Sequence, residues 1–169
     1  NVIGKFPKEF SKKIPGARNN NRFWSTGISV VLHPKNPKLP AMHFNTRFIC
    51  TQKNWFGGGM DVTPSLKDAR EKNYFHNELK KMCDLHNKKY YLKYKNWCDR
   101  YFYLPHRNES RGIGGIFFDY KMDNWEKDFL FVQDVGITFA NLIIKILQKK
   151  MFLKWTKKEK ETQLLKRGR

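Results

Sequence analysis

Three polar side chains recur at every second position between Ala41 and Thr51, where His43, Asn45 and Arg47 alternate with Met42, Phe44 and Phe48. A period of two places the two sets on opposite faces of a strand. The polar face then carries a titratable imidazole, an amide and a guanidinium fork that can grip a carboxylate through paired hydrogen bonds. Half-buried strands meet solvent with the same alternation, so the pattern alone leaves ligand binding and hydration both open. Upstream, Ser29 and His33 share one parity in GISVVLH, and a short connection would return that strand beside the next one.

Asp61 is the carboxylate to single out. It follows Gly57, Gly58 and Gly59, where the missing Cβ lets backbone turn tightly or approach a ligand closely. A carboxylate there can meet an N–H group or a proton in flight; capping an Asx turn is the competing role. Arg107 and Arg111, on either side of the loop before GIGG, suit either a carboxylate clamp or a surface salt bridge. His33, His43, His76 and His106 offer imidazoles to a metal, yet no HExxH or His-x-His spacing accompanies them. His76, beside Phe75 on a predicted helix, reads as a structural histidine. Gly112, Gly114 and Gly115 fit neither GxGxxG nor GxxxxGK[ST], and no GxSxG elbow points to a hydrolase.

These residues need a scaffold. The stretch 1–22 is basic, rich in Asn and Gly, and interrupted by Pro7 and Pro15, so an irregular N-terminal segment is expected. A strand over Gly27–His33 stops at PKNPKLP, whose prolines cannot sustain a ladder, and a second strand over Ala41–Thr51 forms a hairpin with it. WFGGGMDVTP reads as a glycine-rich loop. Ser65 followed by Asp68 reads as a helix start, and Phe75, Leu79, Met82, Cys83 and His86 recur at helical spacing. A second helix fits Tyr90–Phe102 before Pro105, a short strand Ile116–Tyr120, and a long helical region carries Trp125, Phe129, Val132, Phe139, Leu142, Ile143, Ile146 and Leu147 as core candidates. A charged surface helix ending near Gly168 closes the chain. The expectation is one α+β domain over residues 1–169, an antiparallel β-sheet covered by α-helices.

At 169 residues and 40% hydrophobic content the chain can bury a real core. Its 34 Lys and Arg against 15 Asp and Glu favour an anionic partner, whether nucleic acid, an acidic surface or a polycarboxylate. No apolar run approaches the roughly 20 residues of a membrane span, and no targeting pattern opens the sequence, so a cytoplasmic protein without a membrane span is expected. Cys50, Cys83 and Cys98 form no CxxC pair, which suits a reducing compartment.

The strings GISVVLHPKNP, WFGGGMDVTP and HRNESRGIGGIFFDY, with KNWCDRYFYLPHR over 95–107, resemble in order and spacing the core of the oxygen-dependent coproporphyrinogen III oxidase family. The likeness is strongest from Gly27 to Tyr120. It implies oxidative decarboxylation of two propionates of coproporphyrinogen III to vinyls, with O2 consumed and CO2 and hydrogen peroxide released. No flavin, haem or nicotinamide is implied, and a divalent metal only as a disputed requirement. By motif, His43 matches the proton donor and Asp61 the carboxylate proposed to hold pyrrole N–H groups. Ser29, Asn45, Thr46 and Arg47 match substrate contacts, and His33, His43, His76 and His106 match the proposed metal ligands. The resemblance further implies a homodimer and a family chain that continues beyond KRGR. The rival readings are a non-catalytic basic module binding RNA or another polyanion and a histidine-rich metalloenzyme.

Overall fold

The computed structural model describes residues 1–167. Five strands form one antiparallel sheet in the order β1 (Val2–Lys5), β2 (Arg22–Leu32), β3 (Ala41–Cys50), β4 (Asn54–Thr63) and β7 (Gly115–Lys121). The helices are a single turn α1 (Lys8–Ser11), α2 (Ala69–His86), α3 (Tyr90–Tyr101), α4 (Trp125–Lys150) and α5 (Lys157–Arg167). The two-residue strands β5 (Tyr103–Leu104) and β6 (Glu109–Ser110) form a small ribbon between α3 and β7. The chain is thus a single α+β domain, as its periodicities predict.

The two longest helices each start where a side chain satisfies a free N–H group. The carboxylate of Asp68 accepts from the Glu71 amide at 3.0 Å at the start of α2, and Asn124 accepts from the Lys127 amide at 2.9 Å at the start of α4. Asp68 is therefore the cap itself rather than a first-turn residue. The greasy face of the sheet packs on α2 and α4: Met42, Phe44, Met60, Val62, Ile116 and Phe118 meet Phe75, Leu79, Phe131, Val135, Phe139, Leu142 and Ile146. Phe131 and Val135 take core positions that the sequence reading gave to Trp125 and Phe129, which stay 55% and 37% exposed. By length and composition alone α4 is also long and apolar enough to cross a membrane. Here one side of it closes the core.

Three further expectations change. Residues 1–22 are not wholly irregular, because β1 pairs with Arg22–Ser25 of β2 and adds an edge to the sheet. WFGGGMDVT is not a loop but the interior strand β4, paired with β3 along its whole length. Its glycines lack strand propensity, yet neighbouring backbone lies so close that side chains would not fit: a Cβ on Gly58 would stand 2.5 Å from the Asn45 carbonyl oxygen, and one on Gly59 2.3 Å from that of Ile116. Helix α5 is not merely a charged surface helix. Its Gln163 is fully buried and donates to the Pro34 carbonyl at 3.1 Å, anchoring the β2–β3 hairpin loop. Its expected end near Gly168 lies outside the described residues.

Candidate active site

Antiparallel register stacks three rows of facing residues on the sheet face opposite α2 and α4. The first is Gly27, Arg47 and Gly57; the second Ser29, Asn45, Gly59 and Phe117; the third Val31, His43, Asp61 and Gly115. Directly opposed residues share a face, so Ser29, His43, Asn45 and Arg47 are brought together as their spacing suggested, and Asp61, expected on a loop, joins them from β4. Thr46 is not: its parity turns it toward the helices, opposite Ile28 and Gly58. Four of the eleven positions are glycine, which leaves the polar side chains standing over bare backbone.

The third row gathers the titratable groups. Asp61, only 3% exposed at its side chain, lies 3.4 Å from His43 Nδ1. Arg111 grips the same carboxylate with both arms of its fork, Nη2 to Oδ1 at 2.7 Å and Nε to Oδ2 at 3.1 Å. The Arg111 guanidinium lies 3.8 Å from the centre of the Phe102 ring. His43 Nδ1 is buried and makes no hydrogen bond among the described residues, so the Asp61 carboxylate is its ionic neighbour without being its acceptor. His33 leans edge-on to His43 with ring centres 5.7 Å apart.

The first two rows hold a second pair. Arg47 Nη2 donates to Asp119 at 2.6 Å, Nη1 to Asn45 Oδ1 at 3.1 Å, and its guanidinium sits 5.8 Å over Phe117. Sequence reasoning missed Asp119. The available signal was parity, since Asp119 stands two residues from Phe117 on a strand whose other face is apolar.

Beside the third row opens a cleft of about 940 Å³, within the range of organic-ligand sites. His33, His43 and His106 line it, and Lys67, Lys72, Arg107, Arg111, Lys166 and Arg167 outnumber Asp68 and Glu109. Its walls suit a ligand with several carboxylates.

The four histidines matched to metal ligands do not assemble. His33, His43 and His106 share the cleft, but His76 is buried elsewhere with both ring nitrogens engaged, Nε2 by the Ile113 carbonyl at 2.8 Å and Nδ1 by the Tyr91 hydroxyl at 3.1 Å. Burial pushes the His76 imidazole below its ordinary range despite the hydrogen bond to Ile113. Among the described residues no three His, Cys, Asp or Glu side chains are grouped to hold a metal ion. The arrangement does not fit a preformed metal centre.

The family model for coproporphyrinogen III oxidase matches residues 1–169. The oxygen-dependent coproporphyrinogen-III oxidases of Rickettsia rickettsii (strain Sheila Smith) and Rickettsia bellii (strain OSU 85-389) are each 52% identical over 169 residues, and that of Rickettsia akari (strain Hartford) is 51% identical. In all three the match takes in 99% of this chain and 61% of the relative, so the chain spans 61% of the length of these curated relatives. With the whole chain matched, it belongs to the coproporphyrinogen III oxidase family.

Proposed function

We propose that this chain carries the acid–base centre of an oxygen-dependent coproporphyrinogen III oxidase of haem biosynthesis. The observation that carries the reading is the third row, where His43, which lines a cationic cleft, meets a buried, arginine-held Asp61. In each half-reaction a propionate side chain, counted as its acid, and one O2 become a vinyl group, CO2 and hydrogen peroxide, so atoms and electrons balance without a further oxidant. Asp61 accepts hydrogen bonds from pyrrole N–H groups and takes the proton whose removal makes the ring electron-rich enough for O2. His43 supplies a proton. Asn45, Ser29 and Arg47 face the same side and hold substrate carboxylate, while the lysines and arginines of the cleft balance the charge of the other propionates. O2 is the co-substrate, and no organic cofactor has a role in the scheme.

The homodimer belongs to this reading. Leu130, Ile137 and Ile144 on α4 and Met151 at its C-cap recur every seventh residue and are 46–58% exposed, and an uncovered apolar stripe of this kind favours association. Cytoplasmic placement is supported by the three cysteines, all free.

The test uses the chain extended to the length of its relatives, supplied with coproporphyrinogen III with and without O2. Divinyl product that requires O2 and falls about 10²- to 10⁴-fold in Asp61→Ala supports the oxidase. A folded protein without turnover that binds RNA with steep salt dependence would replace it with the basic-module reading.

A further inference from the structure

We propose that Arg111 is the positioning residue of this site, fixing the Asp61 carboxylate beside His43 rather than gripping substrate. The inference rests on the oxidase reading and deepens it.

Arg111 is held more firmly than a loop arginine needs to be. Its own amide donates to the Phe102 carbonyl at 3.2 Å while its guanidinium lies against the Phe102 ring, so one residue pins it at both ends. The chain then presses onto β4. The Ile113 amide donates to the Val62 carbonyl at 2.9 Å, and the Val62 amide donates back to Gly114 at 3.2 Å. Gly112 and Gly114 take φ of +63° and +79°, conformations that glycine adopts without strain, and a Cβ on Gly112 would stand 2.2 Å from the Val62 carbonyl oxygen. His76, on α2, donates to the Ile113 carbonyl and closes the lock from behind. The segment 111–114 is therefore tied to α2, to the residue following α3 and to β4 at once.

What this rigidity delivers is one orientation of one carboxylate. Two hydrogen bonds from a planar fork determine both the position and the plane of the Asp61 carboxylate, and the oxygen bonded by Arg111 Nε is the one that lies 3.4 Å from His43 Nδ1. Both bonds of the fork go to one buried carboxylate, which commits Arg111 to Asp61 although it also reaches the cleft. Misplacing a reacting group by about an ångström can cost about a hundredfold in rate, so the effect belongs in kcat.

The test is made in the chain of relatives' length, with parent, Arg111→Gln and Arg111→Lys compared for kcat and KM toward coproporphyrinogen III in air, with and without added methylguanidinium. Arg111→Gln should lower kcat about a hundredfold with KM within about threefold of the parent. Added methylguanidinium should restore part of the loss, and Arg111→Lys, a charge without a fork, should fall between. A raised KM with parental kcat would overturn the proposal in favour of substrate contact. Should Arg111→Gln fail to fold, full kcat in Arg111→Lys overturns the proposal, and a lowered kcat with parental KM upholds it. A crystal structure of whichever variant folds reads the geometry without turnover. Asp61 leaving its contact with His43 upholds the positioning role even if the parent turns over no coproporphyrinogen, in which case only the oxidase reading fails. An unmoved Asp61 overturns the positioning role whatever the activity.

Discussion

Arg47 on β3 reaches Asp119 on β7 across the whole width of β4, and it does so because Gly57 lies between them. A Cβ on Gly57 would stand 2.5 Å from Asp119 Oδ1 and 2.8 Å from Arg47 Nε. Both are ends of side chains that can move, so Gly57→Ala should cost no more than about 1 kcal/mol of stability while breaking the pair and raising KM for a carboxylate substrate. Gly115→Ala is the contrast. Its Cβ would stand 1.9 Å from the Met60 carbonyl oxygen, which cannot rotate away, and the loss should reach at least the upper end of the ~1–3 kcal/mol typical of overpacking. Thermal melts of the two variants separate the cases. The comparison also shows what was legible at this scale. Alternation alone grouped His43, Asn45 and Arg47, because it depends only on neighbouring residues. The partners Asp119 and Arg111 are 72 and 50 residues away in sequence from the groups they bind, and no local pattern fixes which distant charge a strand register will deliver.

At the scale of elements, one buried ion pair joins β7, α3 and α4. Lys121 at the end of β7 donates to Asp128 in the first turn of α4 and to the Tyr90 hydroxyl at the start of α3, and Asp128 also accepts from the Asn124 amide. Both charged side chains are almost wholly buried, 4% and 2% exposed. Burial would push the Lys121 ammonium down, but the hydrogen bonds to Asp128 and Tyr90 outweigh it and hold it above its ordinary range. Removing one partner leaves an uncompensated buried charge. Asp128→Ala should therefore cost about 3–5 kcal/mol, whereas Lys121→Met with Asp128→Leu should come within about 1 kcal/mol of the parent or exceed it; denaturant melts of both distinguish a junction that adds stability from one that adds only specificity. This junction explains why α4 begins at Trp125 and why its buried face is set by Phe131 rather than Phe129. The helix itself was plain from its apolar period, but its rotation about its own axis is chosen by an ion pair the period does not contain. Strand β4 was hidden for a different reason, since three consecutive glycines erase the side-chain alternation by which strands are recognised.

Across the whole molecule the two faces of the sheet have different covers. One is closed by α2 and α4; the other, apart from Trp97 and Tyr101 of α3 packed edge-on and stacked against Phe117, is left to the site. The cysteines report whether that closure holds. Cys83 on α2 and Cys98 on α3 are buried, and burial pushes both thiols up to about 12. Cys50, at the end of β3, is half-buried, and burial raises its thiol as well. Since the thiolate is the reactive form, a pKa of about 12 leaves roughly one Cys83 or Cys98 side chain in 10⁴ ionised at pH 8, before steric protection is counted. A disulfide-exchange reagent added to the native protein at that pH should therefore label one thiol per chain, Cys50, with the other two reacting only as fast as the helices open. Unfolding in denaturant should release all three together. If Cys83 labels as fast as Cys50 in the native protein, α2 does not rest on the sheet as described. His76, which reaches the site loop from the same helix, would then lose its hold on Ile113, and Arg111 would lose its support from α2.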